Sequence, residues 1–318
     1  MPPASTPCAA AQPDAVAIER GSAQDDAQVR SYFAAGPDHP VIFTDATAGW
    51  PALANWSMES FAREHGADLG FVQMGFYDWC GGRATSLGDF IAKLDQPVSS
   101  LSGFWIDSDY RPTPTPPADP ESLWSFIWEG LTKHASMRND VGQYPRGARD
   151  LFEGMEKSAY AALEKVTDNS YRTLYLSRKG TITPWHCDLH GTIGSLAQFE
   201  GRKRINLMPG YDSDDPQNEG FDPESPDYER FPQLAGRPIF QAIIEPGDML
   251  IIPPHWWHHV RSLSHSITLS YNFVVPENAS QFLASVQASE EGQAASPEHR
   301  RLIEVAFAPE RLAEAAQW

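Results

Sequence analysis

Tyr171-Arg172-Thr173-Leu174-Tyr175-Leu176-Ser177 opens the part of the chain whose pattern decides the fold. From here β-favouring runs follow one another: Thr173 to Ser177, Ser195 to Leu207, Ile239 to Ile244, Met249 to Ile252, His258 to Val260 and Ile267 to Val275. Pro209-Gly210, Pro246-Gly247-Asp248 and Pro253-Pro254 punctuate several of the joints. Short strands with such spacing predict an antiparallel sandwich or barrel of the jelly-roll kind. Asp212 to Pro232, acidic and dotted with proline, reads as a long surface loop.

Outward from this core the pattern is mixed. Pro40-Val41-Ile42-Phe43-Thr44 is a short strand closed by Gly49-Trp50-Pro51, and Ser57 caps a helix through Glu64 with Gly66 past its end. A second helix starts at Ser86 and runs Leu87 to Leu94, Leu101 to Ile106 is a strand, and Arg111 to Pro120 is a proline-rich loop. Helices are expected at 121–135 and 147–165, and again at 279–290 and 298–316. Phe282, Leu283, Val286, Leu302, Ile303, Val305 and Phe307 make the last two amphipathic, which predicts packing against each other or against a second copy as a homodimer. The chain therefore divides into a mobile tail (1–24), an N-terminal extension of strands and helices packing on the core (25–170), the β core (171–276) and C-terminal helices (277–318). The fold class is mainly β with α.

Over 318 residues, 41% hydrophobic and 21% charged, the chain can bury a full core. Its net charge of -18 argues against nucleic acid as a partner, since a phosphate backbone calls for clustered Lys and Arg. Cys8, Cys80 and Cys187 are too few for a disulfide framework or a four-cysteine zinc site, which suits a reducing cytoplasm. Met1-Pro2-Pro3-Ala4-Ser5-Thr6 has no basic leader and no apolar run approaches a membrane span, so a soluble cytoplasmic protein is expected.

The chemistry is concentrated in His186-Cys187-Asp188 and in Pro253-Pro254-His255-Trp256-Trp257-His258-His259-Val260. On an extended segment His186 and Asp188 project from one face. One more histidine completes a two-histidine, one-carboxylate triad, which occupies one face of an octahedral Fe(II) and leaves the other open for a co-substrate and dioxygen. Alternation groups His258 with Trp256 and Val260 and His259 with His255 and Trp257, without saying which group looks inward. His190, two beyond Asp188, is either a further polar group of the site or a surface histidine. Cys187 points away from the metal as packing, and the tryptophans are core or pocket wall.

A 2-oxo acid co-substrate would need a cation for its far carboxylate inside the barrel, where an unpaired charge is costly. Read as one strand, Ala197 to Leu207 has an apolar face of Ala197, Phe199, Gly201, Ile205 and Leu207 in which Lys203 is the one charge. Arg202 and Arg204 fall on the opposite, polar face. A lone lysine ordinarily snorkels to solvent; beside an iron triad it reads as the anchor.

These residues resemble the JmjC-type cupin-like oxygenases, in particular the group of the asparaginyl hydroxylase factor inhibiting HIF. The resemblance covers about residues 171–275 through Thr183-Pro184-x-His186-x-Asp188, Ala197-Gln198-x-x-Gly201-x-Lys203-Arg204, Pro226-Asp227-Tyr228-Glu229-Arg230-Phe231-Pro232, Pro246-Gly247-Asp248 and Trp256-Trp257-His258-His259. It implies a double-stranded β-helix (jelly-roll, cupin) core that binds Fe(II) through His186, Asp188 and His258, with 2-oxoglutarate as co-substrate. It further implies that Lys203 and Thr183 hold the distal carboxylate and that Asn272 lies near the C1 carboxylate. Thr183 and His186 reach one face only if Pro184 breaks the strand's regularity. Two departures stand out: Gly194 or Ser195 occupies the place of an asparagine, and no early-strand tyrosine is evident. The expected activity is an oxidoreductase, a dioxygenase that hydroxylates an aliphatic C–H of a peptide or protein side chain or of a small molecule. The alternatives are a non-catalytic cupin-like binding protein, and the same triad used with another divalent metal.

Overall fold

The computed structural model describes residues 15–74, 83–95, 124–128, 130, 134–142, 157–167, 172–210 and 220–315. The expected strand at Leu101 to Ile106, the loop from Arg111 to Pro120 and positions 147–156 of an expected helix lie outside them. Strands are β1 (Val16–Ala17), β2 (Glu19–Gly21), β3 (Val41–Phe43), β4 (Leu69–Met74), β5 (Arg83–Ser86), β6 (Trp124–Trp128), β7 (Arg172–Ser177), β8 (Ile182–His186), β9 (Ile193–Glu200), β10 (Lys203–Met208), β11 (Phe240–Ile244), β12 (Met249–Ile252), β13 (Trp257–Ser262) and β14 (Ser266–Phe273). Helices are α1 (Asp26–Ala34), α2 (Pro51–Asn55), α3 (Met58–His65), α4 (Leu87–Ala92), α5 (Ala135–Asp140), α6 (Lys157–Thr167), α7 (Pro276–Ala288), α8 (Glu290–Ala294), α9 (Pro297–Ala306) and α10 (Pro309–Ala315).

Two sheets result, one of five strands in the order β1-β11-β10-β13-β8 and one of nine in the order β2-β3-β12-β9-β14-β7-β6-β4-β5. From β7 to β14 the chain repeatedly crosses from one sheet to the other, which is the winding of a double-stranded β-helix. Between the sheets lies an apolar cluster of Ile18, Ile42, Ile205, Leu207, Ile244, Leu250, Ile252, Trp256 and Val260. A larger cluster, with Leu174, Leu176, Ala197, Phe199, Leu269 and Phe273, seats the helices on the outer face of the nine-stranded sheet.

Local chemistry sets several elements as expected. Ser57 Oγ accepts from the Ser60 N–H at 3.0 Å and Ser60 Oγ from the Ser57 N–H at 2.9 Å, starting α3, and Ser86 Oγ accepts from the Asp89 N–H to start α4. Elsewhere the structure differs. Residues 16–21, expected in the mobile tail, pair in parallel with β11 and β3, and Ile18 between them is buried in the inter-sheet cluster. Trp124–Trp128, expected in a helix, is a strand between β4 and β7; its aromatic and β-branched residues suit a pleated surface that pairs on both edges.

The run from Ala197 to Leu207 is two strands in different sheets. Gly201, at φ +72°, turns between them, and a Cβ there would sit 1.9 Å from the His265 carbonyl oxygen. Ala197 and Phe199 therefore face the helices, whereas Ile205 and Leu207 face the space between the sheets. Of the 212–232 loop, residues 220–232 lie over the outer face of the five-stranded sheet, where Phe221, Phe231 and Leu234 cover Trp185, Met208 and Trp257. At the C-terminus Phe282, Val286, Ile303 and Phe307 are buried in the chain's own core, which satisfies most of the apolar surface expected at a dimer contact; Val305 is 49% exposed.

Candidate metal centre

His186 ends β8, Asp188 follows two residues on, and His258 lies on β13 directly opposite His186. The register then shifts, so that Val260 faces Thr183. This irregularity brings Thr183 and His186, three apart, onto one face, as a strictly alternating strand cannot. The inner face of the five-stranded sheet thus carries His186 and Thr183 on β8, His258 and Val260 on β13, and Lys203, Ile205 and Leu207 on β10.

His186 Nε2 and His258 Nε2 lie 3.8 Å and 3.7 Å from Asp188 Oδ1, too far for hydrogen bonds. Two donors on a common cation with bonds of about 2.1 Å stand about 3.0 Å apart at right angles and about 3.4 Å apart in a tetrahedron. The two histidine–carboxylate separations are thus about 0.7–0.8 Å wider than the right-angle spacing and about 0.3–0.4 Å wider than the tetrahedral one, and all three donor atoms lie within 4.8 Å of one another. His186 Nδ1 is 2.8 Å from the Pro184 carbonyl and His258 Nδ1 is 3.0 Å from that of Trp256. Each carbonyl accepts the Nδ1 proton of a neutral imidazole, making Nε2 the lone-pair nitrogen. Burial, with His258 beside it, holds His186 well below the ordinary imidazole range and so keeps it neutral. Two lone pairs and a carboxylate oxygen facing each other repel unless a cation lies between them.

Asp188 is held from behind. Asn272 Nδ2 donates to Asp188 Oδ2 at 3.0 Å and to Thr192 Oγ1 at 2.9 Å, leaving Oδ1 toward the histidines. Asn272 thus steers the carboxylate, as a second layer of partners commonly does at metal sites. Opposite Asn272 on β9 is Gly194, where a Cβ would approach Asp188 Oδ2 to 2.7 Å. A side chain at Gly194 would crowd the Asp188 carboxylate unless that carboxylate shifted.

Lys203 sits deeper, opposite Ser262 and four residues along β13 from His258, roughly 13 Å of strand. It is 5% exposed and makes no hydrogen bond or ion pair among the described residues. Burial pulls its ammonium down to about 7. On the outer face Arg204 and Arg261 pair with Glu224, and the exposed Arg202 lies near Glu245. Tyr175, not singled out from the sequence, pairs with Thr268, whose hydroxyl donates to Gln198 Oε1 on the inner side of the nine-stranded sheet. Its phenol is partly buried and raised above the ordinary tyrosine value by burial and by the Asp188 charge. The signal was present in the alternation of Thr173, Tyr175 and Ser177 with Leu174 and Leu176: here the leucines serve the helices and the polar residues line the barrel.

Other groups fall outside the triad. His259 is buried on the opposite face, 3.4 Å from Asn206 Nδ2. Cys187 packs beside Trp185 and Trp257, and His190 lies 3.1 Å from Ser285 Oγ. Two further clusters have donor atoms close enough to invite a metal. In one, His134 Nε2 and Asp68 Oδ2 are 2.5 Å apart as a hydrogen-bonded pair beside His65. In the other, Asp222 and His259 flank Glu224, which two arginines already neutralise. Among the described residues the His186, Asp188 and His258 group alone combines an open spread with oriented lone pairs.

Residues 132–278 match the family described as a cupin-like domain, so the match spans the barrel and both loops of the triad. Over that stretch the chain is similar to cupin-like domains, in keeping with its double-stranded β-helix. It is 27% identical over 255 residues to HSPB1-associated protein 1 of Homo sapiens, 73% of this chain and 47% of that protein. It is 25% identical over 249 residues to lysine-specific demethylase 8 of Xenopus tropicalis, 74% of this chain and 48% of that protein. A shorter stretch of 101 residues is 40% identical to lysine-specific demethylase JMJ30 of Arabidopsis thaliana, 29% of this chain and 23% of that protein. The chain thus spans about half the length, or less, of these relatives. No helix among the described residues is long and apolar enough to cross a membrane.

Proposed function

We propose that the cupin-like domain is an Fe(II)- and 2-oxoglutarate-dependent dioxygenase that hydroxylates an aliphatic C–H bond of a peptide or protein side chain or of a small molecule. One observation carries this reading: a buried ammonium, Lys203, stands without a counter-ion among the described residues, in the barrel that ends at the His186, Asp188 and His258 acceptors. An ammonium desolvated in this way is stabilised by an anion brought into the same cavity. A dicarboxylate whose other end chelates a metal at the triad supplies that anion. Iron with 2-oxoglutarate and dioxygen would supply the oxidation, converting C–H to C–OH with release of succinate and carbon dioxide.

The chain's own residues bind and orient. His186, Asp188 and His258 hold the metal, with Asn272 keeping Asp188 Oδ1 turned toward it. Lys203 answers the far carboxylate, and Thr183 lies on the same inner face, across β13 from it. Ile205, Leu207, Leu250 and Ile252 belong to the apolar cluster between the sheets and keep these surroundings dry. Dry surroundings strengthen the lysine–carboxylate attraction and limit water at the reacting centre.

Within the family we favour the hydroxylases typified by factor inhibiting HIF, because the Pro226 to Pro232 motif and the Trp257-His258-His259 order follow that group. The names of two relatives support a second outcome of the same chemistry, hydroxylation of an N-methyl carbon on lysine. Incubation with Fe(II), ascorbate, 2-oxoglutarate and a peptide library, read by mass spectrometry, separates the two. A 16 Da gain supports hydroxylation and formaldehyde release supports demethylation. Failure to form succinate in the presence or absence of peptide favours a non-catalytic cupin-like binding protein.

A further inference from the structure

The backbone is unusual on both sides of the triad. His190, two residues past Asp188, has φ 58°, and His255, three before His258, has φ 63°. They are the two non-glycine residues in the left-handed region among the described residues, a conformation that other side chains rarely adopt. The loops abut: at Gly191 (φ +62°) a Cβ would lie 2.7 Å from His255 Nε2.

One face of α7 reaches both loops. Asn278 Nδ2 donates to the Gly191 carbonyl at 2.9 Å, Gln281 Nε2 lies 2.6 Å from His255 Nε2, and Ser285 Oγ lies 3.1 Å from His190 Nδ1. Phe282 sets its ring nearly perpendicular to that of His190, with centroids 6.3 Å apart. Positions 278, 281, 282 and 285 follow the i, i+3, i+4, i+7 spacing of a single helix face. Asn278 Oδ1 also accepts the Val275 N–H, tying the start of α7 to the end of the barrel. Gln287, by contrast, reaches Glu304 of α9 and touches neither loop.

We propose that α7 is a positioning element of the metal centre, its Gln281 and Ser285 fixing the two left-handed histidines so that Asp188 and His258 meet at one point. This rests on the reading of the triad as a metal site. The barrel alone sets the direction of His186 and His258 through their strands, but Asp188 lies beyond β8 on the loop that α7 holds. The C-terminal helix is thereby coupled to metal affinity without touching the metal.

The test is the Gln281→Ala/Ser285→Ala double variant of the full chain, titrated anaerobically with Fe(II) and, for its ligand-field spectrum, with Co(II). Both side chains lie at or near the surface, so the fold is expected to keep its melting temperature within a few degrees. Metal affinity should fall about 10- to 100-fold, as when outer partners of metal ligands are lost, and the Co(II) bands should shift. Ser285→Thr, which keeps the hydroxyl, and Gln287→Ala should both stay at the wild-type value. If the wild type binds neither metal, the site reading fails. If it binds and the double variant binds as tightly with the same spectrum, or if Gln287→Ala loses as much, α7 is not a positioning element.

Discussion

Replacing Lys203 by Met should separate stability from co-substrate binding. Burial lowers the lysine from 10.5 to about 7, which corresponds to roughly 5 kcal/mol of unfavourable desolvation at about 1.36 kcal/mol per pH unit. The sign follows from proton counting. Below pH 7 the lysine is protonated in both folded and unfolded chains, and the folded state carries the full penalty. Between 7 and 10.5 the unfolded chain holds the proton and the folded one does not, so stability rises with pH across that window. Lys203→Met, which keeps the length and removes the charge, should therefore stabilise the ligand-free protein by up to roughly 5 kcal/mol at pH 6, an advantage that shrinks toward pH 10. The same variant should lose 2-oxoglutarate. Removing one partner of a buried charge pair costs about 2–5 kcal/mol, or roughly 30-fold to several-thousand-fold in affinity. Fe(II) affinity should stay within about threefold, because Lys203 stands four strand residues along β13 from the position of His258. Urea unfolding at pH 6, 8 and 10, with calorimetry of 2-oxoglutarate on the anaerobic Fe(II) form, measures both effects. A Lys203→Met protein that is less stable at pH 6, or that retains the co-substrate, refutes the reasoning.

Three further outcomes follow from the same geometry. His258→Ala should abolish iron-dependent turnover, whereas His259→Ala, on the opposite face, should keep a substantial part of it while losing about 1–3 kcal/mol of stability; equal iron binding by the two variants would mean that the wrong histidine has been chosen. Gly194→Ala places a methyl 2.7 Å from Asp188 Oδ2 and should weaken Fe(II) by about 10- to 100-fold, as read by anaerobic titration; unchanged affinity would show that Asp188 moves without cost. Arg202→Ala and Arg204→Ala should change 2-oxoglutarate affinity by less than about tenfold, since their charges answer Glu245 and Glu224 on the surface side; a larger loss in calorimetry would reverse the inner and outer faces.

Much of this was legible along the chain because the barrel strands are short and punctuated. His186 and Asp188 stood out through residue type and spacing, His258 was chosen over His259 by the family resemblance alone, and the structure brings the three together. Lys203 was reached by an argument only half correct. Alternation was carried through Gly201 as if one strand continued, whereas the chain turns there into the other sheet: Ala197 and Phe199 face the helices, and Lys203 shares the inner face with Ile205 and Leu207 alone of that run. Tyr175 was missed because apolar residues were taken to mark the inside. On β7, β9 and β14 of the nine-stranded sheet the apolar face seats the helices, and Thr268, Gln198 and Asn272 lie on the face toward the other sheet. Trp124–Trp128 was read as helix because its pairing partners lie far away in sequence, beyond the reach of local pattern. The hold of α7 on the metal loops is likewise long-range: Gln281 meets His255 across 26 positions and Ser285 meets His190 across 95.

The central claim is that one cavity holds a metal at His186, Asp188 and His258 and a dicarboxylate at Lys203. Anaerobic titration of Fe(II) into the full chain with 2-oxoglutarate, followed in the visible range, tests it directly. A weak charge-transfer band saturating at one iron per chain is expected, absent in His258→Ala and recovered in Lys203→Met only at much higher 2-oxoglutarate. No band in the wild type, or a band indifferent to both substitutions, contradicts the claim.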